Sequence, residues 1–322
     1  MIYGKTESGH GVDENIAQVV PQEILIPADR LPAPIEFGSD EFWQEFVDTA
    51  QCVHDAKQKK RLDLRKDWRE TLPAAIRGIV ESPVPEFITD SKRNCGMGIR
   101  NCAEYAEMVH DEWPTSIPTM LVQWLLKKGH KVRDIFNVGG PTFAMGPVEV
   151  GSLIGEAIKT VSPSCFNAKW VRKSARPEEI AYAIATGEIE PPAAVKDHLD
   201  SIVDWRAVKE DKHAFTTYPE GCPGHPRDPA MHAAAAGISV IIGVMMDISE
   251  SAFVDVPHTA WCIAGARNSA GVHLMEDCRN GLWMGEEVME LWLPDRLAQR
   301  GADKSQVLQL VRQHRTNWLL KG

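Results

Sequence analysis

Three short segments of the sequence carry residue types that can hold and process an anion. The first, KWVRKSARP, places Arg172, Lys173 and Arg176 three, four and seven residues after Lys169, which is the spacing of one helical face. A basic face of this kind is most often a solvated surface, and the alternative interpretation is an anion clamp. Pro177 stops a helix that carries these cations.

The second segment, DPAMH, runs from Asp228 to His232. Asp228 followed by Pro229 suits an N-cap with proline at the first helical position, which predicts that a helix begins here. The backbone N–H groups of Ala230, Met231 and His232 would then be free, and such a helix start attracts anions. His232 titrates near neutral pH, but as a lone histidine it is equally explained as a hydrogen-bonded residue at the mouth of a helix.

The third segment, ARNSAGVH, contains Arg267 and His273 six residues apart. Taken alone, this arginine is explained as a cation that meets the dipole at the end of a helix. Together, the three segments supply cations, two histidines and a helix start. That set suits a tetrahedral oxyanion with one histidine that attacks or binds it and another that transfers protons.

These segments resemble the motifs of the vanadium-dependent haloperoxidases and of the phosphatases that share their fold, namely the histidine acid phosphatases and the type 2 phosphatidic acid phosphatases. The family pattern is K-x6-RP, then P-S-G-H, then S-R-x5-H. The matching residues are Lys169, Arg176, Pro177, Pro229, His232, Arg267 and His273. PEGCPGHP and ARNSAGVH are similar to the algal bromoperoxidase branch, and the resemblance extends over residues 146–290.

The resemblance implies a role for each matched position. His273 would bind vanadium directly, and the vanadate oxygens would be neutralised by Lys169, Arg176 and Arg267. The backbone of Met231 would also contact this cofactor, whose site phosphate can occupy. Lys169 would also be a catalytic residue, together with His232 and His225. His232 would be the acid–base group, and His225 would be a second histidine near the halide.

The implied activity is oxidation of bromide or iodide, and of chloride poorly if at all, by hydrogen peroxide. The product would be a hypohalous-acid-type species that halogenates an organic acceptor. One alternative is a histidine phosphatase that forms a phosphohistidine at His273. Another is a redox-inactive homologue that serves as a binding or structural oligomer. Trp170 beside Lys169, together with the PEGCPGHP segment, favours the peroxidase.

The chain departs from the family at several positions around this site. Ala230 and Met231 stand where the family has Ser-Gly, so one hydroxyl donor to the anion is missing. Ala266 replaces the serine before Arg267, and Phe166 stands where some bromoperoxidases have an additional arginine. Asp228 adds a negative charge close to the predicted anion. Of these departures, Ala230-Met231 is the one that favours the redox-inactive alternative.

Apolar residues recur at helical spacing along most of the chain, and alternating strand patterns are nearly absent, which predicts an all-α protein. We interpret residues 1–40, rich in Pro and Gly, as an extended N-terminal arm, and residues 41–322 as a single helical domain of the haloperoxidase type. The predicted helices are Asp40–Lys57, Leu72–Glu81, Gly96–Glu112, Ile117–Lys128, Val148–Val161, Pro177–Thr186, Pro192–Ile202, Pro229–Ile248, Thr259–Val272, Gly281–Gln299 and Lys304–Trp318.

Charge, hydrophobicity and cysteine usage indicate which partners and which cellular compartment suit the chain. The chain of 322 residues has 45 acidic and 35 basic side chains, a net charge of −10 that disfavours a nucleic-acid partner. No signal peptide is apparent, and the longest apolar run, Ala233–Met246, is too short to cross a bilayer. Seven cysteines without CxxC spacing predict reduced thiols and a cytoplasmic location. Resemblance to the algal enzymes implies a homodimer or a larger homo-oligomer.

Overall fold

The structure is a computed structural model that describes residues 24–61, 85–91, 96–111, 116–133 and 147–319. The predicted all-α class is confirmed, because helices account for most of the described chain. The helices are α1 Asp40–Lys57, α2 Glu86–Thr89, α3 Cys102–Asp111, α4 Ser116–Lys127, α5 Pro147–Arg172, α6 Pro177–Thr186, α7 Ala193–Ile202, α8 Trp205–Glu210, α9 Met231–Gly237, α10 Val240–Met245, α11 Glu250–Phe253, α12 Asp255–Ser269, α13 Met275–Ala298 and α14 Lys304–His314. Two strands, β1 Lys131–Val132 and β2 Met246–Asp247, pair in antiparallel orientation.

Two helices have the predicted bounds, and local capping explains both. Helix α1 begins where the Ser39 hydroxyl accepts the Phe42 N–H at 3.1 Å. Helix α6 has proline at its first position and ends at Gly187, whose φ of +79° suits a residue without a Cβ. Sequence signals at helix ends therefore locate these two elements.

Other predicted bounds shift by one to eleven residues. The largest change is in α5. The apolar spacing in the sequence predicted that this helix ends at Val161, but it continues to Arg172 and so carries Lys169. Helix α13 begins at Met275, six residues before the predicted Gly281, and α14 ends at His314. The helix predicted at Leu72–Glu81 lies outside the described residues.

Two predictions about the site-bearing elements are wrong. The single helix predicted for Pro229–Ile248 is two short helices, α9 and α10. Helix α9 starts at Met231 because the Asp228 carboxylate accepts hydrogen bonds from Arg172 and Asn280 instead of capping a helix.

The single basic face predicted for Lys169 to Arg176 is also not formed. Helix α5 ends at Arg172, and the next residue, Lys173, has a φ of +51°. Arg176 is the extended N-cap residue of α6, since the proline that follows it disfavours a helical conformation. Lys169 and Arg176 therefore approach each other from two different helices.

Helix α9 lies at the centre of the molecule, in contact with α5, α12 and α13. Its close approach to α13 depends on glycine, because a Cβ at Gly281 would lie 2.3 Å from the Ala230 carbonyl oxygen. A Cβ at Gly285 would lie 2.1 Å from the Ala234 oxygen. This glycine seam brings the start of α13 next to the start of α9, where the predicted site residues lie.

The described part of the N-terminal arm, residues 24–39, packs against helices of its own chain. The Ile26 N–H donates to the Ser164 hydroxyl at 2.9 Å, and the Pro32 carbonyl accepts from Arg172 at 2.7 Å. The Ile35 N–H donates to Glu276 at 2.7 Å. This segment thus covers α5 and the beginning of α13.

None of the helices in the described ranges combines the length and apolar character needed to cross a bilayer. No disulfide joins the cysteines within the described ranges.

Candidate oxyanion site

The structure brings the residues of all three sequence segments together. They come from the end of α5, the start of α6, the loop before α9, the first turn of α9, the last turn of α12 and the loop before α13. In that order they are Lys169, Arg176, His225, His232, Arg267 and His273. We call Lys169, Arg176 and Arg267 the cation cluster.

Lys169 is fully buried, and its ammonium donates to the carbonyl oxygens of Pro226 at 2.9 Å and Arg227 at 2.7 Å. An ammonium has three N–H donors, so one remains for a ligand. Burial lowers the pKa of Lys169, and the nearby charge of Arg176 lowers it further. Both effects penalise a positive charge that an added anion would stabilise.

Arg176, which is 3% exposed, connects the two histidine loops. It donates to the His225 carbonyl oxygen at 2.9 Å and to the Val272 carbonyl oxygen at 2.7 Å. It also donates to His273 Nε2 at 3.1 Å and to His225 Nδ1 at 3.0 Å. All of these acceptors are neutral groups.

Arg267 is 3% exposed, and most of its donors have no acceptor among the described residues. It donates to the Tyr218 hydroxyl at 3.1 Å, and its guanidinium carbon lies 5.4 Å from the Tyr218 ring centre. The buried Nε atom has no hydrogen-bond partner within the described ranges. A buried guanidinium with unused donors is chemically suited to an anionic ligand.

Within the described ranges, the cation cluster has no acidic group in direct contact. No carboxylate oxygen there forms an ion pair within 4.0 Å of Lys169, Arg176 or Arg267, although the charge of Asp277 acts on the first two from a longer distance. Arg172 and Arg227, which are similarly buried, pair with carboxylates. Burying three unpaired cations is costly unless another anion joins them.

His273 is held as the tautomer that carries its proton on Nδ1. Its Nδ1 lies 3.1 Å from the Asp277 carboxylate, and its Nε2 accepts a hydrogen bond from Arg176. The Leu274 N–H at 2.9 Å and the Arg227 guanidinium hold that carboxylate in turn. The Nε2 lone pair therefore points into the cation cluster, the requirement for a ligand atom or a nucleophile.

Burial and the surrounding cations keep the histidines neutral. Burial, then the charges of Lys169 and Arg176, lower the pKa of His225 to about 3. Burial also lowers the pKa of His273 and of His232 well below the usual value, and Arg267 adds most to the effect on His232. His232 has no hydrogen bond among the described residues, so its ring is available to a ligand.

Several neighbouring residues differ from the predicted arrangement. The Ala230 N–H is not free, since it donates to the Asp277 carbonyl oxygen at 2.9 Å. Met231 is half-buried at the first position of α9, a helix with no side-chain cap. Trp170 is 42% exposed, whereas Lys169 beside it in the sequence is buried. Phe166 packs edge-on against His225, with ring centres 5.3 Å apart.

An acidic group lies beside the cation cluster. Asp228, Glu276 and Asp277 are buried, and they have carboxylate oxygens within 4.8 Å of one another, an arrangement that could hold a metal ion. Arg172 and Arg227 already form ion pairs with these three carboxylates. We call these five residues the paired layer. The negative charge of Asp228, expected to disfavour an anion, is thus neutralised by Arg172.

Sequence reasoning assigned no role to Asp277, Arg227 or Tyr218, which orient the site. Asp277 lies four residues after His273, a spacing that places two side chains within reach at the start of a helix. That spacing is the one signal that indicates its role. Nothing in the sequence pairs Arg227 with Asp277 or Tyr218 with Arg267, because each pair is about 50 residues apart along the chain.

The donor set fits a tetrahedral oxyanion. The unused donors of Lys169 and Arg267 and the orphaned Nε of Arg267 suit negative oxygen atoms. A ligand on His273 Nε2 would replace the hydrogen bond from Arg176, and that guanidinium would then be free to donate to the ligand. Comparison with known proteins adds no constraint, since no protein-family model and no curated protein matches the chain.

Proposed function

We propose that the chain is a vanadate-dependent haloperoxidase that uses the cation cluster and His273 as its cofactor site. One observation carries the proposal: three buried cations lie close enough to His273 to lower its pKa, Arg176 donates to its Nε2, and none of the three forms an ion pair with a carboxylate among the described residues. A multiply charged oxyanion supplies the missing negative charge. Lys169 and Arg267 would hold its oxygens, and His273 would bind it through Nε2.

Vanadate in this position would supply the activation of hydrogen peroxide toward attack by bromide or iodide. The chain contributes charge and orientation. Asp277 keeps the proton of His273 on Nδ1, so Nε2 stays available. Arg227 donates to the other carboxylate oxygen of Asp277 and fixes its direction.

His232 is suited to the base that removes a proton from hydrogen peroxide. Burial and the charge of Arg267 lower its pKa, so the imidazole is neutral in the oxyanion-free protein and able to accept a proton. An oxyanion bound beside it would offset the charge of Arg267 and raise that pKa. A phosphohistidine at His273 is the second candidate, because its oriented Nε2 lone pair is equally a nucleophile.

His225 and Ala230 modify the proposed activity. His225 Nδ1 accepts from Arg176, and its ring packs against Phe166, so we place it at the wall of the halide site. Ala230 cannot supply the hydroxyl that the family directs at the oxyanion, which predicts weaker cofactor binding. A redox-inactive homologue is the limiting case of that weakening.

One set of assays separates these functions. Purified protein is stripped of oxyanion and then loaded with vanadate or phosphate. Peroxide-dependent oxidation of iodide, bromide and chloride is measured beside hydrolysis of a phosphate ester, with an organic acceptor to capture the halogenating species. We expect vanadate-dependent oxidation of iodide and bromide that is lost in His232→Gln. Hydrolysis without halide oxidation supports the phosphatase, and neither activity supports the inactive homologue.

A further inference from the structure

A groove with a volume of about 340 Å³ lies between the C-terminal half of α1 and the chain from the end of α7 to Phe215. The volume falls within the range of small-molecule sites. Buried side chains of Val53, Val208 and Phe215 line it. None of the residues of the cation cluster lines this groove, so it is separate from the proposed oxyanion site.

Two opposite charges line the groove. The Lys57 ammonium donates to the carbonyl oxygens of Ala214 and Phe215, the latter at 3.2 Å, and keeps a third N–H. One oxygen of the Asp204 carboxylate accepts the Ala207 N–H at 3.1 Å at the start of α8, which leaves the other oxygen for a ligand.

The two charges influence each other without forming an ion pair. Partial burial lowers the pKa of Lys57, and the carboxylate of Asp204 acts in the opposite direction. Yet no ion pair within 4.0 Å joins these residues in the described part of the chain, although exposed pairs such as Arg206–Glu210 are present nearby. The groove therefore presents a separated cation and anion above an apolar floor.

We propose that this groove binds a free α-amino acid with an apolar side chain. Its carboxylate would contact Lys57, its ammonium would contact Asp204, and its side chain would cover Val53, Val208 and Phe215. A simple anion would be attracted by Lys57 but repelled by Asp204, and a simple cation would meet the reverse pair of interactions. A zwitterion satisfies both charges at once. The apolar floor adds affinity for a side chain that leaves water.

The test is titration calorimetry with L-leucine and L-phenylalanine at neutral pH. N-acetyl-L-leucine lacks the ammonium, and L-leucinamide lacks the carboxylate. We expect one amino acid bound per chain and affinity at least ten-fold weaker for either analogue. Lys57→Gln keeps an N–H donor for the backbone, and Asp204→Asn keeps an oxygen that caps α8. Each should weaken L-leucine binding at least ten-fold.

Lys209→Gln, an exposed substitution outside the groove, is the control and should bind like the wild type. Circular dichroism verifies that each variant is folded. Absence of binding by both amino acids at millimolar concentration in the wild type overturns the proposal. So does N-acetyl-L-leucine or L-leucinamide that binds as tightly as L-leucine. No oxyanion is needed, so this proposal and the proposed peroxidase can fail separately.

Discussion

The cation cluster and the paired layer are adjacent and similarly buried, but among the described residues only the paired layer has its arginines in ion pairs with carboxylates. In the paired layer, Arg172 and Arg227 contact carboxylates directly. In the cation cluster, the corresponding donors reach backbone carbonyls, histidine nitrogens and the Tyr218 hydroxyl. Two neighbouring sets of buried positive charge therefore have different kinds of partner.

This difference indicates which set is structural and which is a binding site. Buried charges are stable in a fold when they are paired, and removal of one partner is then strongly destabilising. A buried cation without a counter-ion lowers stability until an anion binds. The paired layer supports the loop and helix starts, and we propose that the cation cluster holds a ligand.

The largest expected effect comes from breaking the paired layer. Arg227→Met leaves Asp277 and Glu276 without their main counter-ion, so we expect the free energy of unfolding to fall by about 3–5 kcal/mol. Urea denaturation measures this change. Arg206→Met, in an exposed pair with Glu210, is the matched control and should cost less than about 1 kcal/mol. A similar small cost for Arg227→Met would contradict the structural role of the layer.

The next effect separates stability from binding in the cation cluster. Arg267→Met removes an unpaired buried cation, so we expect the oxyanion-free protein to be as stable as the wild type or more stable. Phosphate affinity should fall by about 1.5–3 kcal/mol, because hydrogen bonds to a charged group are lost. Urea denaturation without oxyanion and calorimetric titration with phosphate report the two quantities. Strong destabilisation with unchanged affinity would place Arg267 among the structural arginines.

A third prediction uses the pH dependence of the cation cluster. Burial and nearby cations lower the pKa of His225 to about 3 in the folded state, against about 6.5 when unfolded. Below pH 6.5 the unfolded chain therefore binds a proton that the folded chain does not. The stability that His225 contributes is complete above pH 6.5 and is lost as the pH falls toward 3.

We accordingly expect the free energy of unfolding to fall between pH 7 and pH 5 by up to about 2 kcal/mol more in the wild type than in His225→Gln. Urea denaturation of both proteins at the two pH values, without oxyanion, gives the difference. Saturating phosphate should reduce it, because a bound anion makes a protonated histidine less costly. Parallel pH profiles for the two proteins would show that His225 is not held neutral by the cluster.

The smallest expected effect comes from restoring the hydroxyl donor that is missing at position 230. Ala230 is buried and provides no side-chain cap to α9. Ala230→Ser should tighten phosphate binding by about 1.5 kcal/mol, because the new hydroxyl can donate to the anion. This is the lower end of the range for a hydrogen bond to a charged group, and we choose it because Met231 crowds the neighbouring position. Calorimetric titration measures the change. Raised stability with unchanged affinity would mean that the hydroxyl caps α9 and does not reach the anion.

The sequence predicted the all-α class and the helices with strong end signals, such as Asp40–Lys57 and Pro177–Thr186. Its spacing also identified six side chains that the structure brings together. These predictions succeeded where the signal is local, in capping residues, in proline and glycine at helix ends, and in a motif with fixed intervals.

The remaining features depend on contacts between distant segments. Asp228 looks like a helix cap in the sequence, but Arg172 and Asn280 occupy its carboxylate, so the helix begins at Met231. Arg176 does not continue the face of Lys169, because Lys173 takes up a left-handed conformation. That no carboxylate of the described ranges forms an ion pair with Arg267 is likewise visible only when its neighbours in space are known.

The most direct test of the account is titration of vanadate into oxyanion-free protein, with calorimetry for the affinity and vanadium-51 nuclear magnetic resonance for the bound species. We predict one vanadate per chain in the wild type and at least ten-fold weaker binding in His273→Ala. Lys209→Gln, with its charge change on the exposed surface, should bind vanadate like the wild type. Absence of saturable binding by the wild type, or equal affinity in His273→Ala, would contradict the claim that the cation cluster is an oxyanion site.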